Sequence, residues 1–304
     1  NYILSETETP GGYATAEPLA FRVTSEESLQ TVEMMETPLT LAVHMKAEDG
    51  AELPGAVLSL LDGEGKEVEA WTTQNEAHVI RYLSEGTYTL KQLSAPAGYS
   101  LGKDVTFTLQ NTEKEQSVNM TSAKTDVEIL VLDLTTGENL PGAEMSVKDG
   151  QGNEADHWIS DGMLHVITGL AAGNYTLTEI KTPAGYATGA DAAFTVTDAP
   201  GSIPVVMEND VLKVSISRID AATGKTVAGA EIAVRDSKGT LLEQWITTEE
   251  PHLLTKIPTG EYVLEELSAP KGYGKAAGVT FFCERYKRYP DDCTGKRPDP
   301  GGNQ

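Results

Sequence analysis

The sequence predicts an all-β chain of small β-sandwiches in tandem, strung together as beads on a string. Three observations predict it: a long internal repeat, strands that alternate with a period of two, and glycine- and aspartate-rich turns between them. One segment recurs four times, as YILSETETPGGY from Tyr2, YTLKQLSAPAGY from Tyr88, YTLTEIKTPAGY from Tyr175 and YVLEELSAPKGY from Tyr262. Its prolines, Pro10, Pro96, Pro183 and Pro270, stand 86, 87 and 87 residues apart. A second block, L-P-G-A, begins at Leu53 and Leu140 and returns as V-A-G-A from Val227. Trp71, Trp158 and Trp245 keep the 87-residue step, as do His78, His165 and His252. A phenylalanine follows each proline by 11 residues, at Phe21, Phe107, Phe194 and Phe281.

These steps divide the chain. Residues 1–37 read as the C-terminal part of a truncated first repeat, 38–123 and 124–210 as complete second and third repeats, 211–281 as an incomplete fourth, and 282–304 as an aberrant tail. A start at Asn1, inside a repeat and without a signal peptide, reads as a segment of a longer chain. Within a unit, AEMSVKD from Ala143 places Ala143, Met145 and Val147 on one side and Glu144, Ser146 and Lys148 on the other, as a half-buried strand requires. DGQGN from Asp149 and TTG from Thr135 punctuate such runs as turns. About seven short strands fit a unit, and no segment has a convincing helical pattern. Units this long bury their own cores.

Composition narrows the function classes. Of 304 residues 46 are acidic and 23 basic, for a formal charge of −23. That argues against nucleic acid and anionic membrane surfaces, which are bound through clustered Lys and Arg. No apolar run approaches the roughly 18 residues of a membrane span, so no membrane insertion is expected in this segment. Two cysteines can neither staple the chain nor supply a four-thiolate zinc site.

One pattern stands out chemically. In YTLTEI, Tyr175, Leu177 and Glu179 share a face, and Tyr and Leu mark it as the core side. Glu179 therefore points inward, where a carboxylate needs partners or a raised pKa. Glu6 and Glu266 stand in the same place, and Gln92 in the second repeat.

The pattern Y-x-L-x-E-x-x-x-P-x-G-Y with [L/V]-x-G-A upstream resembles the Cna protein B-type, SpaA-like domains of Gram-positive surface proteins and pilins, over essentially all of residues 1–281. The resemblance implies seven-stranded, Ig-like or prealbumin-like sandwiches used as stalk or shaft modules on a cell wall. It also implies a lysine on the first strand bonded covalently to an Asn or Asp on the last, assisted by the inward Glu. Carried over position by position, the lysine's place is held by His44, Val131 and Arg218, and the last-strand place by Thr37, Ser122 and Asn209. None of the three first-strand residues is lysine, so no isopeptide is expected through these degenerate positions. Lys46 and Lys213 are fallback nucleophiles only if the strand register slips by one residue. The alternatives expected are a buried Arg218–Glu266 ion pair, hydrogen bonding by His44 and Gln92, and for Glu179, opposite Val131, water or a proton.

After Phe281 the repeat stops. Residues 282–304 hold Cys283, Cys293 and three of the seven arginines, Arg285, Arg288 and Arg297. A one-nucleotide slip in the codons of Phe281–Phe282 accounts for this better than a real tail. The neighbouring frame permits FSVKDTKDTQTIVQENDP, comparable in pattern and length with FTVTDAPGSIPVVMEND from Phe194. Such a slip would leave the last core edge of the fourth repeat open.

Other chemistry is weaker. His78, His165 and His252 are equivalents in separate units, too far apart to share an ion, and His44, His157 and the acidic loops lack metal-site spacing. Cys283 has no catalytic partner in sight, and no catalytic motif is present. No cofactor, metal or enzymatic activity is expected. The leading expectation is an extracellular, cell-wall-attached stalk whose partners are neighbouring repeats of the same protein. The alternative is a binding module that recognises a host glycoprotein or glycan through its Trp and Tyr side chains. Buried tryptophans would favour the stalk; tryptophans aligned on one open face would favour binding.

Overall fold

The computed structural model describes residues 1–25 and 29–284; the tail and its frame-slip reading lie, beyond Glu284, outside them. Contacts group the chain into two compact bodies, one of residues 1–128, 166–174 and 195–203, the other of 129–165, 175–194 and 204 onward. The truncated first repeat contributes β1 (Tyr2–Leu4), β2 (Tyr13–Ala14), β3 (Leu19–Phe21) and β4 (Thr37–Pro38). The second repeat holds β5 (Thr40–Ala47), β6 (Val57–Leu61), β7 (Glu67–Thr72), β8 (His78–Arg81), β9 (Gly86–Ser94), β10 (Val105–Leu109) and β11 (Gln116–Ser122). The third repeats the plan with β12 (Asp126–Asp133), β13 (Glu144–Asp149), β14 (Glu154–Ile159), β15 (His165–Thr168), β16 (Gly173–Lys181), β17 (Ala192–Val196) and β18 (Ser202–Asn209). The fourth has β19 (Lys213–Ile216), β20 (Glu231–Asp236), β21 (Leu241–Ile246), β22 (His252–Thr255), β23 (Gly260–Ser268) and β24 (Val279–Cys283). The two complete repeats thus have seven strands each and no helix.

In the second repeat a four-stranded sheet, β10-β9-β6-β7, faces a three-stranded one, β11-β5-β8. Its first and last strands are parallel neighbours, in register from Leu41↔Gln116 to Ala47↔Ser122. Between the sheets Leu41, Met45, Leu58, Leu60, Leu90, Leu109 and Met120 are fully buried in one core. In the fourth repeat β19 pairs with β22; among the described residues no strand pairs with it on the side where β5 carries β11.

The L-P-G-A block has a structural explanation. The Thr73 hydroxyl donates to the Leu53 carbonyl (2.7 Å) and accepts the Ala56 N–H (3.0 Å), all buried. Ser160 does the same for Leu140 and Ala143, and Thr247 for Val227 and Ala230. One hydroxyl, two residues beyond each tryptophan, satisfies a donor and an acceptor that the tight turn leaves unpaired.

The P-x-G-Y turn serves a second purpose at three places along the chain. The Gly12 carbonyl accepts the N–H of Leu39, at the start of the next repeat, and the Leu39 carbonyl accepts the N–H of Tyr82. Gly98, Thr125 and Gly169 repeat this relay, and Gly185 likewise accepts from Leu212. Tyr82 (φ 65°), Gly169 (φ 80°) and Lys256 (φ 56°) are all left-handed. Each turn glycine presses on that residue: a Cβ on Gly12, Gly98 or Gly185 would stand 2.7, 2.6 or 2.5 Å from the carbonyl oxygen of Tyr82, Gly169 or Lys256. A positive φ and this close approach both call for glycine. At the third joint Lys256 Nζ lies 3.2 Å from Asp133 Oδ2, which also accepts the Tyr186 hydroxyl at 2.8 Å. Burial opposes the Asp133 charge, but Tyr186, the Thr135 and Thr136 N–H groups and Lys256 together outweigh it and hold the carboxyl at about 2.

Two outcomes follow. Thr73→Val orphans both the Leu53 carbonyl and the Ala56 N–H, and should cost the second repeat about 1–3 kcal/mol, read as faster hydrogen exchange at the Val57–Leu61 amides. Asp133 has a folded pKa below its unfolded value, so its contribution is complete above about pH 4 and disappears as pH falls toward 2. The gap in thermal midpoint between the unaltered chain and Asp133→Asn should therefore close across that window.

Candidate functional site

The inward polar residue sits at a kink. In β9, β16 and β23 one extra residue, Leu93, Ile180 and Leu267, interrupts the pairing with β6, β13 and β20. The residue just before it is the inward one, in step with the alternation of its strand: Gln92 opposite Leu58, Glu179 opposite Met145, Glu266 opposite Ile232. Gln92, Glu179 and Glu266 are all buried.

One donor is common to all four repeats. The backbone N–H six residues past the proline points at the inward side chain: Ala16 to Glu6 (2.7 Å), Gly102 to Gln92 (2.5 Å), Gly189 to Glu179 (2.8 Å) and Ala276 to Glu266 (2.5 Å). The signal was present in the sequence as a small residue at a fixed offset, Ala16, Gly102, Gly189 and Ala276.

The remaining donors differ. In the fourth repeat Arg218 Nε donates to Glu266 Oε1 at 2.8 Å, with side chains 13% and 2% exposed. The guanidinium also lies over the Tyr273 ring, 5.0 Å from its centroid. In the third repeat Asn209 Nδ2 bridges both Glu179 oxygens (2.9 and 2.8 Å), and the Thr182 hydroxyl adds a third donor at 3.0 Å. The expectation that Glu179 would need water or a proton is therefore corrected. Sequence reasoning considered only the first strand opposite it, where Val131 is buried, and missed Thr182. In the second repeat Gln92 Oε1 accepts the Ser122 hydroxyl at 2.9 Å. His44 does not share this network. Its Nδ1 pairs with Glu52 at 2.7 Å, across the turn that follows β5. In the first repeat Glu6 Oε1 is buried and has no hydrogen-bond partner among the described residues.

Thr37 also needs correction. Tyr13 pairs with Pro38 as Tyr99 pairs with Lys124 and Tyr186 with Val211. The residue matching Ser122 and Asn209 is thus Glu36, and Thr37 lies one place on, in β4 against Ala14. Of the fallback lysines, Lys213 is exposed on β19 and its ammonium pairs with Asp210 at 3.1 Å. Lys46 is half-buried near the end of β5.

The tryptophans are half-buried, each stacked on the histidine of its own repeat: Trp71 on His78 at 4.4 Å, Trp158 on His165 at 3.9 Å, Trp245 on His252 at 4.0 Å. Each histidine in turn bonds a carboxylate two residues before the tryptophan, Glu69, Asp156 or Glu243, at 2.8, 2.7 and 2.8 Å. Cys283 is a buried free thiol in the fourth core, its pKa pushed up by burial.

The family profile described as the SpaA prealbumin-like fold domain matches residues 41–124, 125–211 and 212–284. The chain belongs to this family. Its second to fourth repeats are three tandem SpaA-type domains. Among solved structures it is similar to the Bacillus anthracis TIE protein (23% identity, TM-score 0.45), over 83% of this chain and 49% of that one, so it spans about half of that relative. It is also similar to a streptococcal ancillary pilin (16% identity, TM-score 0.33, 81% and 95% covered). A third is BcpA, the major pilin subunit of Bacillus cereus (13% identity, TM-score 0.34, 81% and 95% covered). No curated protein matches.

The geometry makes Arg218 the largest contributor to the fourth SpaA-type site. Arg218→Met should destabilise that domain by about 3–5 kcal/mol, because it leaves a buried carboxylate with one backbone donor. An unchanged unfolding transition for that domain in urea would refute the buried-pair account.

Proposed function

We propose that the chain is a structural stalk segment of an extracellular, cell-wall-attached Gram-positive surface or pilin-like protein. In this reading its domains are held by packing and hydrogen bonds and not by internal isopeptides. The observation that carries the reading is the parallel ladder of β5 and β11. Parallel first and last strands place a domain's entry and exit at opposite ends. Tension along the chain then loads the whole ladder in shear instead of peeling it bond by bond. Membership of the SpaA family supports the same role.

The absence of a covalent clamp is supported by what meets each inward side chain. Arginine stands at Glu266, asparagine and threonine at Glu179, and serine at Gln92. None of these except Asn209 has a place in a lysine–asparagine condensation, and the first-strand residue that would attack Asn209 is Val131. The binding alternative draws less support, because one ring face of each tryptophan is already covered by imidazole.

The intact mass of the purified chain tests the proposal. A mass equal to the sequence is expected; a deficit of one ammonia or one water per domain would refute the non-covalent reading and make Lys46 or another lysine the nucleophile.

A further inference from the structure

The three joints between successive repeats share the bond to the turn-glycine carbonyl and the close approach of that glycine to a left-handed residue, but their side chains differ. The left-handed receiving residue is Tyr82 at the first, Gly169 at the second and Lys256 at the third. The turn tyrosines of the three joints are Tyr13, Tyr99 and Tyr186. At the first joint Tyr13 and Tyr82 meet edge to face at 5.5 Å. At the second, the receiving residue has no side chain. At the third, the Lys256 ammonium lies 5.3 Å from the Tyr186 ring centroid and 3.2 Å from Asp133 Oδ2.

We infer that Lys256 and Asp133 are a specificity-determining pair that selects the fourth repeat as the neighbour of the third. Three observations carry this. First, Asp133 is aimed at the joint. Its Oδ1 accepts the N–H groups of Thr135 and Thr136 at 2.8 and 3.2 Å, which leaves Oδ2 for Tyr186 and Lys256. The carboxylate is 4% exposed, so the lysine meets a charge already out of water. Second, the backbone at position 256 does not call for lysine. Gly169 fills the equivalent place, and a left-handed conformation is one that non-glycine residues adopt reluctantly. Lysine is therefore there for its side chain. Third, the partner position discriminates. The 87-residue step puts Lys46 where the third repeat has Asp133, so Lys256 set against the second repeat would meet a like charge. The fourth repeat carries the same acceptor again: the Tyr273 hydroxyl donates to Asp220 Oδ2 at 2.9 Å, while Asp220 Oδ1 accepts the Ala222 and Thr223 N–H groups. Tyr273 is 43% exposed against 7% for Tyr186, which Lys256 covers. The inference concerns how repeats recognise each other and holds whatever the chain as a whole is used for.

The test is tryptic cleavage after Lys213, exposed at this joint, in the whole chain, followed by peptide mass spectrometry. Lys256→Gly copies the residue of the third repeat and should fold; Asp133→Asn keeps the Oδ1 cap. Each should speed cleavage about two- to tenfold, and the double variant should be no faster than the faster single. Cleavage of the unaltered chain should quicken between low and high sodium chloride, and both variants should lose that dependence. Hydrogen exchange at the Glu231–Asp236 amides should be unchanged in Lys256→Gly. Unchanged cleavage, effects that multiply in the double variant, a salt dependence that survives, or lost protection in Glu231–Asp236 would each overturn the inference.

Discussion

Everything in a repeat converges on one constraint: a polar side chain aimed into the sandwich must find its donors there. The alternation of the strand aims it and the turn after the proline supplies one backbone N–H. The rest must come from the first and last strands, or from the turn itself. In the second repeat those strands are parallel neighbours, and the inward Gln92 is tied to the last of them through Ser122. Burying a carboxylate without partners costs several kcal/mol. This explains why the repeats vary at this site in concert. Glu266 comes with Arg218, Glu179 with Asn209 and Thr182, and where the side chain is the neutral Gln92 a single serine hydroxyl joins the backbone donor.

The same logic of satisfied polar groups explains the other recurring residues. The hydroxyl after each tryptophan ties down a turn within the repeat. The turn glycine lies close to the next repeat because it has no side chain. Positions that serve the backbone repeat with little change. Positions that meet another side chain vary more: 82, 169 and 256 are Tyr, Gly and Lys, and Lys46 stands where the later repeats have Asp133 and Asp220. The variation follows the partner.

Much of this was legible in the sequence. The period of two placed Tyr175, Leu177 and Glu179 on one inward face, and the 87-residue step aligned the strands. A spacing from the L-x-G-A block put Arg218 opposite Glu266 with no knowledge of the turn between them. What was not legible depends on loops. Thr182 reaches Glu179 from the turn after β16. Glu52 takes His44 because the turn after β5 folds back beside the strand. Thr37 was misplaced by one residue: the 86-residue first step counts back from Ser122 to Glu36, and the pairing of Tyr13 with Pro38 fixes the same register. The joints were invisible for a different reason. A period reports what is common to the units, and contact between units rests on which residue of one meets which residue of the next.

In the proposed stalk, the lack of a covalent clamp also changes what a domain does under load. A covalent cross-link between first and last strands removes the ladder from the mechanical path, since no extension is possible until a bond breaks. A clamp made of Arg218 and Glu266, or of Asn209 and Glu179, leaves the ladder in that path and lets the domain open and re-form. The strength of each domain then depends on how well its own inward residue is satisfied, and the four solutions are not equal. Glu179 receives donors from Asn209, Thr182 and Gly189, whereas one oxygen of Glu6 has none among the described residues. In the proposed stalk, a chain built this way would yield in order, weakest clamp first, and dissipate load by sequential opening where a covalently locked shaft would transmit it.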